Sequence, residues 1–275
     1  MKSSMCSDKV SKTSPFLKVV FVIVLALQAA CAGTIDGKSV KSNAERDELF
    51  AKAEAGDAEA QYEIGIYYAI GTFDGFAKDY QKAATWLLKA AGQGHADAMF
   101  EVGAMHEHGN GFLLNESRAV AWYLKAAERG SADALYGLGE AYLNGAGVKT
   151  DYELAKTYFE QAIEKGERVS YRGLGEIYVK GLGVPEDAGK AGEIWLKGVE
   201  KGCFSCAHRL GLLYRDGIGV EKNSVTAMSW FLVATSKYDI KAAQFDRDEL
   251  GRILSEVEMS QAKKLADKWM PAQRN

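Results

Sequence analysis

The residues with the strongest claim to chemistry are Cys203-Phe204-Ser205-Cys206, a C-x-x-C at the start of a stretch with helical periodicity. Two thiols so placed could exchange electrons, because a helix N-terminus stabilises a thiolate. The surroundings argue for less. No strand-helix-strand pattern of a thioredoxin flanks them, and Cys206 fills a slot held elsewhere by Ala60, Ala98, Ala134 and Ser170, a small buried position. A local disulfide between Cys203 and Cys206 is the alternative. The four histidines, His95, His106, His108 and His208, invite a metal reading. His106 and His108 are two apart and leave a helix on different sides, and no cysteine or carboxylate completes a tetrahedral set at usual spacing. No metal and no cofactor are therefore expected. The Gly-x-Gly pairs at 109/111, 145/147, 181/183 and 217/219 follow helical stretches and lack the lysine of a phosphate loop. No nucleophile, base and orienting group are brought together, so the chain is not expected to be an enzyme.

What must position these residues is an internal repeat. An apolar-Gly pair recurs as Ile64-Gly65, Val102-Gly103, Leu138-Gly139, Leu174-Gly175 and Leu210-Gly211, at intervals of 38, 36, 36 and 36. The same register gives Tyr68, His106, Tyr142, Tyr178 and Tyr214, and then Asp79, Asn115, Asp151, Asp187 and Asn223 at a strict 36. Ala83, Ala119, Ala155, Ala191 and Ala227 follow, with Trp86, Trp122, Tyr158, Ile194 and Trp230 beyond them.

Each unit reads as two helices and a tight loop. Ala134, Leu138, Tyr142 and Gly145 form one stripe of a 3.6-period helix, which must be buried. Gly139 costs that helix about 1 kcal/mol against alanine, so its recurrence predicts a close approach by the backbone of a neighbouring helix. Gly-x-Gly ends the helix, since glycine enters the left-handed region freely. The Asp or Asn that follows suits a helix N-cap, and the second helix places Ala and a bulky residue on one face. Such pairs bury their faces only by stacking.

The unit Ala-x3-Leu-Gly-x2-Tyr-x2-Gly-x-Gly-Val-x3-Asp-x3-Ala-x2-Trp-x3-Ala resembles the Sel1-like repeat, nearly complete between Ala134 and Ala162. That resemblance, over about residues 57–236, implies an all-α, right-handed superhelical α-solenoid of helix-turn-helix repeats and a role as an adaptor for other proteins. His106, Ser170, Cys206 and Ile194 depart from the pattern. Residues 43–56 read as an N-terminal capping helix and 237–275 as C-terminal capping helices, through Phe245, Leu250, Ile253 and Leu254, then Met259, Ala262, Leu265, Ala266 and Trp269.

Residues 1–32 read as an export signal: a basic stretch ending at Lys18, an apolar run from Val19 to Ala30, then small residues. Ala30-Cys31-Ala32 fits signal peptidase, while Leu27-Gln28-Ala29-Ala30-Cys31 resembles a lipobox with Leu27 one place early; lipidation at Cys31 stays open. Residues 33–42 read as a polar tether. The expected location is the periplasm, or the outer membrane as a lipoprotein, with membrane contact only through such a lipid. The formal charge of −3 becomes −6 without residues 1–31, which disfavours nucleic acid as a partner.

A protein or peptide partner is expected along the concave side of the solenoid, against Tyr62, Phe100, Tyr136, Arg172 and His208, which lie opposite the buried stripe, with Glu140 and Glu176 beside them. Replacing Tyr136 and Arg172 together is then expected to abolish partner capture without disturbing helicity. The function read from this is a non-catalytic scaffold of the bacterial cell envelope. The alternative, which the resemblance brings, is an exported repeat protein that binds or hydrolyses β-lactams or peptidoglycan fragments, although no residue can be named as its nucleophile.

Overall fold

A computed structural model describes residues 43–71 and 76–270. The expected signal, its Cys31 and the tether lie outside the described residues. The chain divides into units 1–41 and 42–275, and every helix discussed below belongs to the second. Among the described residues, no helix is long and apolar enough to cross a membrane.

Ten of the helices form five antiparallel-type hairpins along the chain: α2 (Ala58–Ile70) with α3 (Tyr80–Gly92), α4 (Ala96–His108) with α5 (Glu116–Glu128), α6 (Ala132–Asn144) with α7 (Tyr152–Glu164), α8 (Ser170–Lys180) with α9 (Ala188–Glu200), and α10 (Phe204–Asp216) with α11 (Ser224–Thr235). Helix α1 (Asn43–Glu54) packs on α2, and each second helix packs on the first helix of the next pair. The second unit is therefore an α-solenoid. At its far end α12 (Lys241–Gly251) and α13 (Glu256–Ala266) both pack on α11. Leu250, Ala262 and Ala266 are buried there, but Phe245 is 67% and Ile253 75% exposed, against the expectation that both face the core. The reason is geometric. Among the described residues the two terminal helices each rest mainly on α11 and not on one another, which leaves Phe245 on α12 uncovered.

The repeating glycine of the apolar-Gly pair makes room for a side chain, not for a backbone as the sequence suggests. A Cβ on Gly65, Gly103 or Gly139 would lie 2.6 Å from Leu87, Tyr123 or Phe159, and on Gly175 or Gly211 it would lie closer still to Trp195 or Phe231. Leu87, Tyr123, Phe159, Trp195 and Phe231 form one column on the second helices, each at most 2% exposed. The neighbouring column chosen from the sequence, from Trp86 to Trp230, is only partly buried until its last member. Packing a bulky side chain into a glycine notch brings each hairpin's helices together and stabilises it by roughly 2–3 kcal/mol per buried aromatic or leucine.

The second glycine of each Gly-x-Gly also has work beyond ending a helix. Gly111, Gly147, Gly183 and Gly219 have φ between +67° and +75° and press their loops against the start of the previous pair's second helix. Gln81 Nε2 and Ser117 Oγ donate to the Gly111 and Gly147 carbonyls across these junctions, at 3.0 and 2.9 Å.

Helix starts are fixed by side chains. Asp79, Asn115, Asp151, Asp187 and Asn223 accept backbone N–H bonds of 2.8–3.0 Å at the starts of α3, α5, α7, α9 and α11. Removing one such cap by Asp151→Ala is expected to lower unfolding free energy by about 1 kcal/mol, read from the shift in a urea midpoint at unchanged slope.

Candidate functional site

Successive first helices (α4–α6, α6–α8, α8–α10) lie closer together than successive second helices do, so the stack curves toward the first helices and their free side is the inner face. At helical spacing that face carries Asp97, Phe100, Glu101 and Ala104 on α4, and Asp133, Tyr136, Gly137 and Glu140 on α6. On α8 and α10 it carries Arg172, Gly173 and Glu176, then His208, Arg209 and Leu212.

The structure places the residues chosen from the sequence deeper than expected. Phe100, Tyr136, Glu140 and Arg172 are buried, while Tyr62, Glu176 and His208 are half-buried. Phe100 stacks on Tyr123, Tyr62 on His95, and the Tyr136 ring tilts against Phe159. The Phe100 and Tyr136 contacts close their own hairpins, while Tyr62 on His95, like Arg172, reaches across to a neighbouring pair. Arg172 Nη2 donates to Tyr136 Oη at 2.8 Å and to Glu140 Oε1 at 3.1 Å, and Nη1 lies 3.6 Å from Glu176. Arg209 and Lys180 approach Glu176 at 3.3 and 2.6 Å. Burial pushes the Glu140 carboxyl up, opposed by Arg172. Glu176 also loses solvent, but Arg209, Lys180 and Arg172 together hold it below the usual carboxylate range. The joint substitution of Tyr136 and Arg172 would thus dismantle a buried network, and loss of capture in it would report folding, not contact.

What the inner face does present is acidic and lies one residue or one turn aside from the chosen positions. Asp97 and Asp133 are exposed and Glu101 is half-buried between them. Burial first, and then the like charges of Asp133 and Asp97, push Glu101 up to about 7. The C-terminal half of the face differs, because there Arg172, Arg209, Lys180 and Arg215 meet Glu140, Glu176, Asp216 and Asp246. The acidic trio went unread because the sequence search followed aromatic residues two places after the first-helix Ala. The available signal was the acid one place before that Ala in Glu59, Asp97 and Asp133, joined by Glu101 four residues after Asp97.

The remaining chemical residues have structural surroundings. Cys203 and Cys206 are joined by a disulfide. His95 caps α4 and approaches Glu59 at 3.1 Å, His106 stacks on Phe112, and His208 lies 2.7 Å from Asp246. Among the described residues, no group of three or more His, Cys, Asp or Glu could hold a metal ion.

Comparison with known proteins gives the same unit. The Sel1 repeat matches residues 58–95, 96–131, 132–167, 169–203 and 205–239. A crystal structure of a Sel1 repeat protein from Oxalobacter formigenes is 29% identical, with 82% of this chain and 93% of that one aligned at a TM-score of 0.65. The protective antigen c5321 of uropathogenic Escherichia coli, described as an SLR fold, is 25% identical over 94% of this chain and 56% of its own, at a TM-score of 0.64. The ERAD-associated E3 ubiquitin-protein ligase component HRD3A of Arabidopsis thaliana is 36% identical over 86 residues, 29% of this chain. That alignment spans only 12% of the plant protein. With five matched units running from residue 58 to residue 239 and the hairpin stack they require, the chain belongs to the Sel1 repeat family.

Proposed function

We propose that this chain is an exported, non-catalytic scaffold whose inner face between α4 and α6 holds a cationic segment of a partner protein. Sel1 repeat proteins generally mediate protein–protein interaction, which supplies the coarse class. The finer reading rests on one observation: Asp97, Glu101 and Asp133 stand within electrostatic reach of one another, and burial first, then the charges of Asp133 and Asp97, push Glu101 up to about 7. Three carboxylates crowded in this way repel one another, and a lysine or arginine from a partner relieves that repulsion while gaining charge-assisted hydrogen bonds. Export rests on the basic-then-apolar pattern of residues 1–32, with the periplasm or a lipid at Cys31 in the outer membrane as destinations. The mass of the mature N-terminus decides between them.

The test is calorimetric titration with an alternating Lys-Ala peptide. Glu101 passes from largely protonated at pH 6 to largely ionised at pH 8, so affinity is expected to rise with pH across that window by roughly two- to fivefold, the worth of one partly exposed charge pair. Glu101→Gln is expected to remove the pH dependence, and added salt to weaken what remains. Equal binding of an alternating Glu-Ala peptide, or affinity indifferent to pH and to Glu101→Gln, would overturn the reading.

A further inference from the structure

The disulfide between Cys203 and Cys206 lies at the start of α10, and three independent features of its surroundings go beyond those of a passive cross-link. The first is the cap. In all five repeats one side chain accepts the backbone N–H at the first-helix slot: Asp57 from Ala60, His95 from Ala98, Ser131 from Ala134, Glu167 from Ser170, and here Cys203 Sγ from Cys206 at 3.2 Å. The other four offer oxygen or nitrogen acceptors. A disulfide sulfur is a weak acceptor, whereas a thiolate is a strong one and is favoured further by the positive end of α10. Reduction therefore improves this cap, and stabilising the reduced form makes a disulfide a better oxidant.

The second feature is a matched pair of substitutions. Gly198 on α9 stands in the column of Ala90, Ala126, Ala162 and Ala234. A Cβ there would lie 2.7 Å from Cys206 Sγ and 2.8 Å from Tyr171 Cβ, so the missing methyl leaves space that this sulfur shares with Tyr171, and Cys206 is fully buried. The third is a cavity on the opposite side, against which Cys203, itself 2% exposed, is packed. Cys203 borders a cavity of about 240 Å³ that is also lined by Phe204, Val233, Lys268 and Trp269. Trp269 leans on Trp230 at 5.2 Å between ring centroids, and Lys268 brings a positive charge to the same cavity.

We propose that Cys203–Cys206 is a redox-active pair that exchanges electrons with a protein or small-molecule dithiol, with Cys203 as the exchanging sulfur and Cys206 as the resolving one. In the reductive direction a thiolate of the dithiol attacks Cys203 Sγ. The S–S bond breaks, its electron pair leaves on Cys206 Sγ, and that sulfur takes a proton from solvent. The dithiol's second thiolate then attacks its own sulfur in the mixed disulfide, releasing Cys203 as a thiolate held by the Cys206 N–H. The dithiol departs oxidised by two electrons. The reverse sequence oxidises the pair.

Cys206→Ala isolates the exchanging sulfur while installing the residue that repeats one to three carry in this slot. Its iodoacetamide alkylation rate against pH is expected to report a thiol pKa at least one unit below the ordinary value of about 8.5, which raises reactivity near neutral pH by nearly tenfold in thiolate fraction. Trp269→Ala is expected to speed alkylation without moving that pKa. In the unsubstituted protein, dithiothreitol followed by iodoacetamide is expected to label Cys203 ahead of Cys206 by peptide mass, with far-UV circular dichroism unchanged. A pKa at or above the ordinary value, or reduction that proceeds only together with loss of helicity, would overturn the proposal; the peptide-mass readout decides if the variant does not fold.

Discussion

Replacing Arg172 by alanine is expected to lower the unfolding free energy by about 3–5 kcal/mol, because it leaves a buried carboxylate without its counter-ion. Glu140 is 2% exposed and its charged partner is the Arg172 guanidinium, while Tyr136 Oη loses a donor in the same event. The loss has a predicted pH signature. With Arg172 gone, the folded state binds a proton on Glu140 more tightly than the unfolded chain does, so ν_N exceeds ν_U above the ordinary glutamate range and stability falls as pH rises. The deficit is therefore largest near pH 8 and shrinks toward pH 5. Adding Glu140→Gln to Arg172→Met is expected to recover part of the deficit, since neighbours in one network are not additive. Urea denaturation of the three variants at both pH values checks this, and a deficit under about 1 kcal/mol, the range of an exposed pair, would mean that the network carries little.

Gly147→Ala is the second large effect, at about 3 kcal/mol or more. The φ of +71° costs a side-chain residue about 1–2 kcal/mol, and the added Cβ would sit 2.5 Å from the Glu116 carbonyl oxygen and the Ser117 nitrogen. Those are backbone atoms at the start of α5, which cannot rotate away, so the loop must lift and the Ser117 bond to the Gly147 carbonyl is lost. Gly56→Ala is the control. Its φ is +100° but nothing lies within 4 Å of the new Cβ, so only the conformational cost remains. A thermal melt in which the two variants lose equally would show that loop contact between hairpins contributes nothing.

These two residues mark where sequence reading stopped. The hairpins, their five second-helix caps and the stack were legible because a 36-residue period repeats residue types, and physical demands at those positions are the same each time. The column from Leu87 through Tyr123, Phe159 and Trp195 to Phe231 was missed because its members share only bulk. Its meaning appears once each is seen over a glycine of the facing helix. First-helix caps were illegible for the same reason: Asp57, His95, Ser131, Glu167 and Cys203 share an acceptor atom and nothing else. On the inner face, Tyr136 and Arg172 were chosen by their type as interface anchors, yet both are buried, Tyr136 against Phe159 of its own hairpin and Arg172 against Tyr136 and Glu140 of the preceding one. The acids of that face, Asp97, Glu101 and Asp133, remain within reach of a partner.

The claim that the inner face of the first helices is the working surface is tested most directly by mapping amide NMR shifts during titration with the alternating Lys-Ala peptide at pH 8. The account predicts perturbations concentrated on α4 and α6 around Asp97, Glu101 and Asp133, fading toward α10. Perturbations confined to the outer sides of α5 and α7 or to the Gly-x-Gly loops would contradict it.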